Sequence, residues 1–278
     1  MLMERIEDII LRYSWRGMNK LRPHVAEDFC HQAARLLYHL PRGVILLVTG
    51  FCVGSFTETD GPAGTLSVGL ALRALGHTPV IVTDEYCRGV FEAEGLPVVY
   101  FPMDGGEEDA RALLKQYHPV GLFSLERCGC NERNDYANMR GVSIRGNTAP
   151  IDLLFTLSRG LVPSVGVGDG GNEIGMGNLA GVIADELSLV PCVVPVDSLV
   201  IATVSNWGGY GICACLEEMT EQPLTPSFEQ IHAFMERACG LGCVDGISRL
   251  PELTEDGFPP EVTHEILDAL KAACKKGG

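Results

Sequence analysis

Val44-Ile45-Leu46-Leu47-Val48-Thr49, closed by Gly50, is a short apolar run rich in β-branched residues, with no polar alternation. A strand with one wet face alternates; a strand covered on both faces does not. The run therefore reads as a central strand of a parallel sheet. Outward from it the same pattern repeats. Thr65 to Leu75 has the apolar spacing of a helix and stops at Gly76. Pro79-Val80-Ile81-Val82-Thr83 is a second strand, followed by helical spacing from Tyr86 to Glu94 with Gly95 as the stop. Val98-Val99-Tyr100-Phe101 is a third strand and leads into a helix from Glu107 to Tyr117. Val120 to Leu125 is a fourth, followed by a polar loop over 126–147 that is long for a compact domain. Thr148 is placed to cap the next helix, with Pro150 in its first turn. Ser164-Val165-Gly166-Val167-Gly168 is a fifth strand and Leu199 to Val204 a sixth. Residues 1–40 read as helical from Ile6, Ile9, Ile10 and Tyr13, then Val25, Phe29, Ala33 and Leu36; residues 219–278 read as helical between Pro-rich turns. Strand and helix alternate almost throughout. The expected fold is α/β, a doubly wound, mostly parallel sheet sandwiched between helix layers. With no linker and no repeat, 1–278 is expected to be a single domain. Ligands of such sheets bind beyond the carboxyl ends of the strands. That rule nominates five segments: 50–64, 83–88, 126–147, 168–178 and 205–211.

Composition narrows the function. In 278 residues, 46 % are hydrophobic and 21 % charged, enough apolar material for a substantial core and too little charge for a disordered chain. The formal net charge of −15 argues against nucleic acid and against an anionic membrane surface, and leaves a small molecule as the expected partner. No apolar run reaches the roughly 18 residues that span a bilayer. Met1-Leu2-Met3-Glu4-Arg5 meets acidic and basic residues at once, unlike a secretory leader. The 11 cysteines, an odd number, are accordingly expected to be reduced thiols in the cytoplasm, or in the mitochondrial matrix of a eukaryote. Cys128-Gly-Cys130 and Cys213-Ala-Cys215 are too close for a zinc knuckle, and Cys239 with Cys243 lacks a second pair.

The densest chemistry is Gly168-Asp169-Gly170-Gly171-Asn172-Glu173-Ile174-Gly175-Met176-Gly177-Asn178. Its glycines let backbone approach a ligand, and Asp169, Asn172 and Glu173 offer two carboxylates and an amide within five residues. Such carboxylates perturb each other's pKa or share a metal. The plainer reading is a tight turn in which Asp and Asn bond to backbone. Thr57-Glu58-Thr59-Asp60-Gly61-Pro62-Ala63-Gly64-Thr65 ends the loop after the first strand and opens a helix whose amides can cradle an anion. It has neither the Gly-Lys-Ser/Thr of a P-loop nor a GxGxxG, so no nucleotide cofactor is expected. The plainer reading is a capped loop with solvated acids. The long loop holds Glu126, Arg127, Asn131, Arg133, Asp135, Tyr136, Arg140 and Arg145. Arginine suits a carboxylate clamp, although surface arginines also pair idly with nearby acids. Ser205-Asn206-Trp207-Gly208-Gly209-Tyr210-Gly211 reads either as a close approach to ligand or as a packed turn. The histidines lie outside all of these segments and receive no role. There is no Gly-x-Ser-x-Gly elbow. Cys52, Cys87, Cys128 and Cys130 have no histidine to activate them, so packing explains them better.

Together, Thr57 to Pro62, Arg140-Gly141-Val142, Thr148-Ala149-Pro150 and Gly168 to Gly177 resemble the C-terminal domain of the D-glutamate cyclases, over about residues 40–220. The resemblance implies a carbon–oxygen lyase that converts D-glutamate to 5-oxo-D-proline and water, with Mn²⁺ or Mg²⁺ as the cation where one is used. That reaction needs a base for the amine, an acid for the departing oxygen, and positive charge on the carboxylates. Asp169 and Glu173 are the candidates for acid, base and metal ligand, and Asn172 for oxyanion stabilisation. Thr57, Glu58, Thr59, Asp60, Gly61, Glu126, Arg140, Arg145, Gly170, Gly171 and Asn206 are the candidate substrate-binding set. A homo-oligomer is compatible with this reading. Two alternatives stay open on the same acidic loops: a metal-dependent hydrolase or phosphotransferase acting on a small acidic metabolite, and a non-catalytic domain that binds a small acid or nucleotide.

Overall fold

The run that begins this reading is β1, Val44–Thr49, in a computed structural model that describes residues 4–187 and 189–274. The opening Met1-Leu2-Met3 lies outside the described residues. A two-stranded antiparallel hairpin follows, β2 (Cys52–Val53) and β3 (Phe56–Thr57), which the sequence reading did not anticipate. Then come β4 (Thr78–Thr83), β5 (Val98–Tyr100), β6 (Gly121–Leu125), β7 (Ser164–Gly168) and β8 (Ser198–Ile201). Six strands form one sheet in the order β5-β4-β1-β6-β7-β8, with every pairing parallel. Leu47 sits in register with Ile81 on one side and Phe123 on the other, so β1 is apolar because both neighbours and both faces are. This is the doubly wound α/β architecture expected from the alternation.

The helices are α1 (Ile6–Ile10), α2 (Met18–Leu21), α3 (Phe29–His39), α4 (Pro62–Ala74), α5 (Glu107–Tyr117), α6 (Leu153–Ser158), α7 (Ala180–Leu187), α8 (Ser205–Thr220), α9 (Phe228–Gly240) and α10 (Pro260–Cys274). The sheet grows from β1 in two directions, through β4 and β5 on one side and β6, β7 and β8 on the other. Right-handed crossovers then lay helices on opposite faces. α8 is the hub of one layer: it packs on α4, α3, α10 and α1, and Ser205 to Leu216 are all buried. Its contact with α4 is backbone to backbone. A Cβ on Gly209 would lie 3.0 Å from the Cα of Gly64, and one on Gly64 would lie 2.8 Å from the Cα of Asn206, so larger residues would push the helices apart. The apolar core runs from Ile6 to Ala273 as one cluster. Among the described residues, no helix is long and apolar enough to cross a membrane.

Several local expectations are corrected. Residues 86–94 are two 3-10 turns, Glu85–Cys87 and Glu92–Glu94, because Arg88 is extended and Gly89 has φ 93° between them; Gly95 does stop the second, at φ 72°. The sixth strand ends at Ile201, and 205–211 is no loop but the first two turns of α8. Thr148 caps nothing: α6 starts at Leu153, and Asp152 before it turns its carboxylate to Tyr136 Oη (2.5 Å) and the Cys130 amide (3.0 Å). The N-terminal region is helical only in pieces, with an irregular stretch between α1 and α2. The C-terminal region holds α9 and α10 separated by a long connection, 241–259. Both irregular stretches reach the site.

Candidate active site

Because the order in which strands are added reverses between β1 and β6, the chain leaves these neighbouring parallel strands towards opposite sides and opens a crevice at their carboxyl ends. A cleft of about 180 Å³ sits there, lined by Phe51 to Gly54 and Glu58 after β1, by Glu126 and Asn138 to Arg140 after β6, and by Gly170, Asn172 and Glu173 after β7. Arg16 from the N-terminal stretch and Gly246, Ile247, Arg249 and Asp256 from the C-terminal connection complete it. Three residues of this lining, Glu126 (φ 48°), Arg249 (φ 61°) and Asp256 (φ 52°), hold left-handed backbone without being glycine. Such conformations cost on the order of 1 kcal/mol each and concentrate where function fixes them.

The carboxylates come from several segments, and Ser205 at the start of α8 bonds three of them, Asp60, Glu126 and Asp169. Asp60 accepts from the Gly61 amide (2.9 Å) and from the Ser205 and Asn206 amides (2.9 and 2.7 Å), so it caps the buried N-terminus of α8 from outside. Asn206 returns the favour to α4: its Oδ1 accepts from the amides of Gly61 (3.0 Å) and Gly64 (2.7 Å). Its Nδ2 donates to Thr59 O (3.1 Å) and to Glu255 (2.7 Å). Glu255 also accepts from Trp207 Nε1 (3.1 Å), Tyr210 Oη (3.0 Å) and the Thr263 hydroxyl, and so fastens the C-terminal connection to α8. Asp245 organises that connection by accepting from the amides of Ile247, Ser248 and Gly257 at 2.7–2.9 Å. Glu173 folds back into its own loop and takes the amides of Gly170 (2.6 Å), Gly171 (2.8 Å) and Asp169 (3.3 Å), a nest around one carboxylate. Gly166 makes room: a Cβ there would lie 2.6 Å from Ile174 O.

Asp169 accepts through Oδ2 from the Ser205 amide (3.1 Å) and from Arg16, while its Oδ1 is buried without a partner. Glu126 accepts from Ser205 Oγ (2.6 Å). Arg16 also binds Asp256 and reaches Thr203 O (3.4 Å). Two sets of carboxylates, Glu58 with Asp60 and Asp256, and Asp60 with Glu126 and Asp169, have oxygens within 4.8 Å of one another. Burial is the largest cause pushing Glu58, Asp60, Glu126, Asp169 and Glu173 up, and like charge adds to it. Asp169 rises to about 8, Glu173 to about 7 and Asp60 to about 6, and Glu58 and Glu126 lie well above the ordinary range. The floor of the cleft is therefore a reservoir of exchangeable protons near neutral pH.

Residues 6–271 match the family described as D-glutamate cyclase-like, C-terminal. The chain belongs to that family. It is 33 % identical over 183 residues to the human mitochondrial D-glutamate cyclase, an alignment that takes in 57 % of this chain and 29 % of the human protein. Among solved structures, a glycosyltransferase from Streptomyces sp. SF2575, SsfS6, covers 55 % of this chain and 49 % of its own at 15 % identity and a TM-score of 0.30. The epimerase Mth375 of Methanothermobacter thermautotrophicus covers 51 % of this chain and 56 % of its own at 14 % identity and 0.26. At such scores neither likeness bears on fold or function.

In this member of the D-glutamate cyclase-like family, Glu58, Glu126, Arg140, Gly170, Asn172 and Glu173 line the cleft. Asp60, Asp169 and Asn206 are fully buried behind the lining. Asn172 spends its Nδ2 on Ala137 O (2.9 Å), tying the β7 loop to the long loop. Gly61 packs against Glu126, and Gly171 faces Ile183 and Leu189. Thr57 sets its hydroxyl against Cys87 Sγ (2.8 Å), and Thr59 donates to Thr254 O (2.7 Å). Arg145 is not in the cleft. It lies over the Tyr136 ring, bonds Asn134 O and lines a separate cavity with Arg159, because the long loop turns outward after Ile144. Arg127 is buried as a strut between Asp84 (2.6 Å), Gly50 O and Ala149 O (both 2.7 Å). No histidine among the described residues lines the cleft, and all eleven cysteines are free thiols. Sequence reasoning missed Arg16, Arg249, Asp256 and the supporting Asp245 and Glu255. Glu255-Asp256-Gly257 did carry a turn signal; Arg16 carried none.

Proposed function

We propose that this cleft cyclises D-glutamate to 5-oxo-D-proline with release of water. The observation that carries the reading is the pairing, in one cleft, of carboxyl groups titrating near neutrality with two guanidiniums, Arg140 and Arg249, that form no ion pair among the described residues. An amino dicarboxylate is complementary to that arrangement, with its carboxylates at the arginines and its ammonium over the acidic floor. Ring closure forms a bond from the amine nitrogen to the γ-carbon and breaks one C–O bond. The two protons that leave nitrogen equal the two that leave with oxygen as water, so the site has only to relay them. Glu173, at the cleft surface, and Asp169, behind it, share this acid and base work, each with a pKa suited to both directions. Arg140 and Arg249 hold the substrate folded, which supplies rate through orientation.

The residues also fit a hard divalent cation such as Mn²⁺ or Mg²⁺: the donors are all carboxylate oxygens, and Asp169 Oδ1 is buried and unpartnered. Asp60, Glu126 and Asp169 would hold it, and when bound it would polarise the γ-carboxyl and neutralise the floor. The eleven free thiols favour a reducing compartment for the chain, cytoplasm or matrix. The same acidic sets would serve a metal-dependent hydrolase or phosphotransferase. Incubation with D- and L-glutamate, with and without Mn²⁺, followed by chromatographic detection of 5-oxoproline, decides between them. Formation of 5-oxoproline supports the lyase. None from either enantiomer, beside phosphate release from small phosphoesters, would replace it with the alternative.

A further inference from the structure

Arg16 belongs to neither a helix nor a strand; it follows Trp15 and precedes Gly17, which has φ 92°. Its side chain is only 7 % exposed, and it enters the carboxylate cluster from the N-terminal stretch. One η nitrogen binds Asp169 and Asp256 together. These two acids come from different carboxylate sets: Asp256 belongs to the set with Glu58 and Asp60, and Asp169 to the set with Asp60 and Glu126. The guanidinium thus stands between the two sets and takes one oxygen-bearing group from each. It is not at ease there. Its Nε is buried without a partner, whereas an arginine built for a permanent carboxylate pair uses its donors as a two-pronged fork. The stretch that carries it runs between the buried Ile10 and Met18 and is fastened at the surface by Arg12 and Tyr13 to Glu265 at 2.9–3.0 Å and by Arg12 to Glu4, with Trp15 half exposed.

We infer that Arg16 is a built-in counter-ion of the cluster that opposes a divalent cation held by Asp60, Glu126 and Asp169, so that the N-terminal stretch and the cation compete for Asp169. This rests on the cation clause of the proposed function and not on the cyclisation. Arg16 holds Asp169 Oδ2 and a cation would take the unpartnered Oδ1; two positive groups on one carboxylate repel each other, and whichever is present relieves the repulsion among the acids. Coupling of this kind is reciprocal: the arginine weakens cation binding by the same factor as the cation weakens the arginine's hold.

The test is Mn²⁺ binding to the full chain, read from the loss of the free-ion resonance in electron paramagnetic resonance, with 5-oxoproline formation scored separately. Arg16→Gln is expected to bind Mn²⁺ at least about tenfold more tightly than wild type, within the usual range of coupling. Arg16→Lys, which keeps a cation in place, stays near wild type, and Asp169→Asn in the Arg16→Gln background removes the gain. Equal or weaker binding by Arg16→Gln overturns the inference, as does a gain that survives Asp169→Asn, or no binding by any variant. If Arg16→Gln is unfolded alone, millimolar Mn²⁺ must restore its melting transition by mass action; a chain that stays unfolded refutes the idea. Cyclisation that persists while binding fails leaves the lyase standing without this competition.

Discussion

Glu255 offers the sharpest quantitative test, because its whole side chain is committed. It is fully buried and accepts four hydrogen bonds, from Asn206 Nδ2, Trp207 Nε1, Tyr210 Oη and the Thr263 hydroxyl. Glu255→Ala strands all four donors. Each unsatisfied buried donor costs ~1–3 kcal/mol, and water entering the space left behind recovers part, so a loss on the order of 4–6 kcal/mol is expected. That is a large fraction of the ~5–15 kcal/mol that holds a domain folded. Glu255→Gln keeps one acceptor oxygen and turns an amide against the remaining donors, so about half of the loss is expected, ~2–3 kcal/mol. Burial already pushes the Glu255 pKa up against those four donors, which means the neutral form is tolerated there and the Gln variant should fold. Urea unfolding followed by tryptophan emission suits the measurement, since Trp207 is buried beside Phe258, ring centroids 5.1 Å apart. A loss below ~1 kcal/mol for Ala, smaller than one unsatisfied donor, or equal losses for Ala and Gln, would refute the reasoning.

Three further outcomes are expected. Asp169→Asn lowers 5-oxoproline turnover on the order of 10²-fold; Glu173→Gln does so too and also costs ~1–2 kcal/mol, because Gln keeps one acceptor oxygen and one of the Gly170 and Gly171 amides then faces an NH₂. Near-wild-type turnover in both would remove the β7 loop from the chemistry. Arg140→Ala and Arg249→Ala each raise KM for D-glutamate about tenfold, as loss of one charged contact predicts, with kcat little changed; an unchanged KM removes that arginine from binding. His31 is raised to about 11 by Cys215, Glu7 and Glu218, above its ordinary 6.5, so its stabilising contribution is full below about pH 6.5 and fades as pH climbs towards 11. The group is a quarter exposed and worth ~1 kcal/mol at most. The melting gap between wild type and His31→Gln should narrow steadily as pH rises from neutrality, and a constant gap would sink the assignment.

The sheet was legible because both-face burial leaves a mark on composition: β1, β4, β6 and β7 each read as unbroken small or apolar runs. Periodicity failed where glycine and turn chemistry intervene, as at Gly89, which splits the expected 86–94 helix into two turns. It failed differently at 205–211, where small residues read as loop. They are small because α8 is pressed against α4 at Gly64 and Gly209, a tertiary fact with no local trace. In the site, the strand-end rule found the segments after β1, β6 and β7. It could not find Arg16 or the 245–256 connection, since neither follows a strand and both reach the cleft only through long-range packing. Arg145 shows the reverse error: an arginine in the right loop, turned outward by the path of the chain.

How the acids are held explains why so many carboxyl groups are tolerated in one buried cluster. No segment carries a satisfied site by itself. Asp60 is capped by α8 while Asn206 of α8 caps α4; Glu255 from the C-terminal connection orients Asn206; Arg16 from the N-terminal stretch neutralises Asp169 and Asp256. Breaking one link leaves a buried polar group without its partner, and that cost falls on every segment that shares it. Folding and site assembly are therefore one cooperative event. The raised carboxyl pKa values follow from the same closure: water is excluded only once the N- and C-terminal stretches have closed over the strand ends, and only then do the acids hold protons near neutral pH. A chain shortened at either irregular stretch should therefore lose stability together with the raised carboxyl pKa values, seen as an earlier urea midpoint.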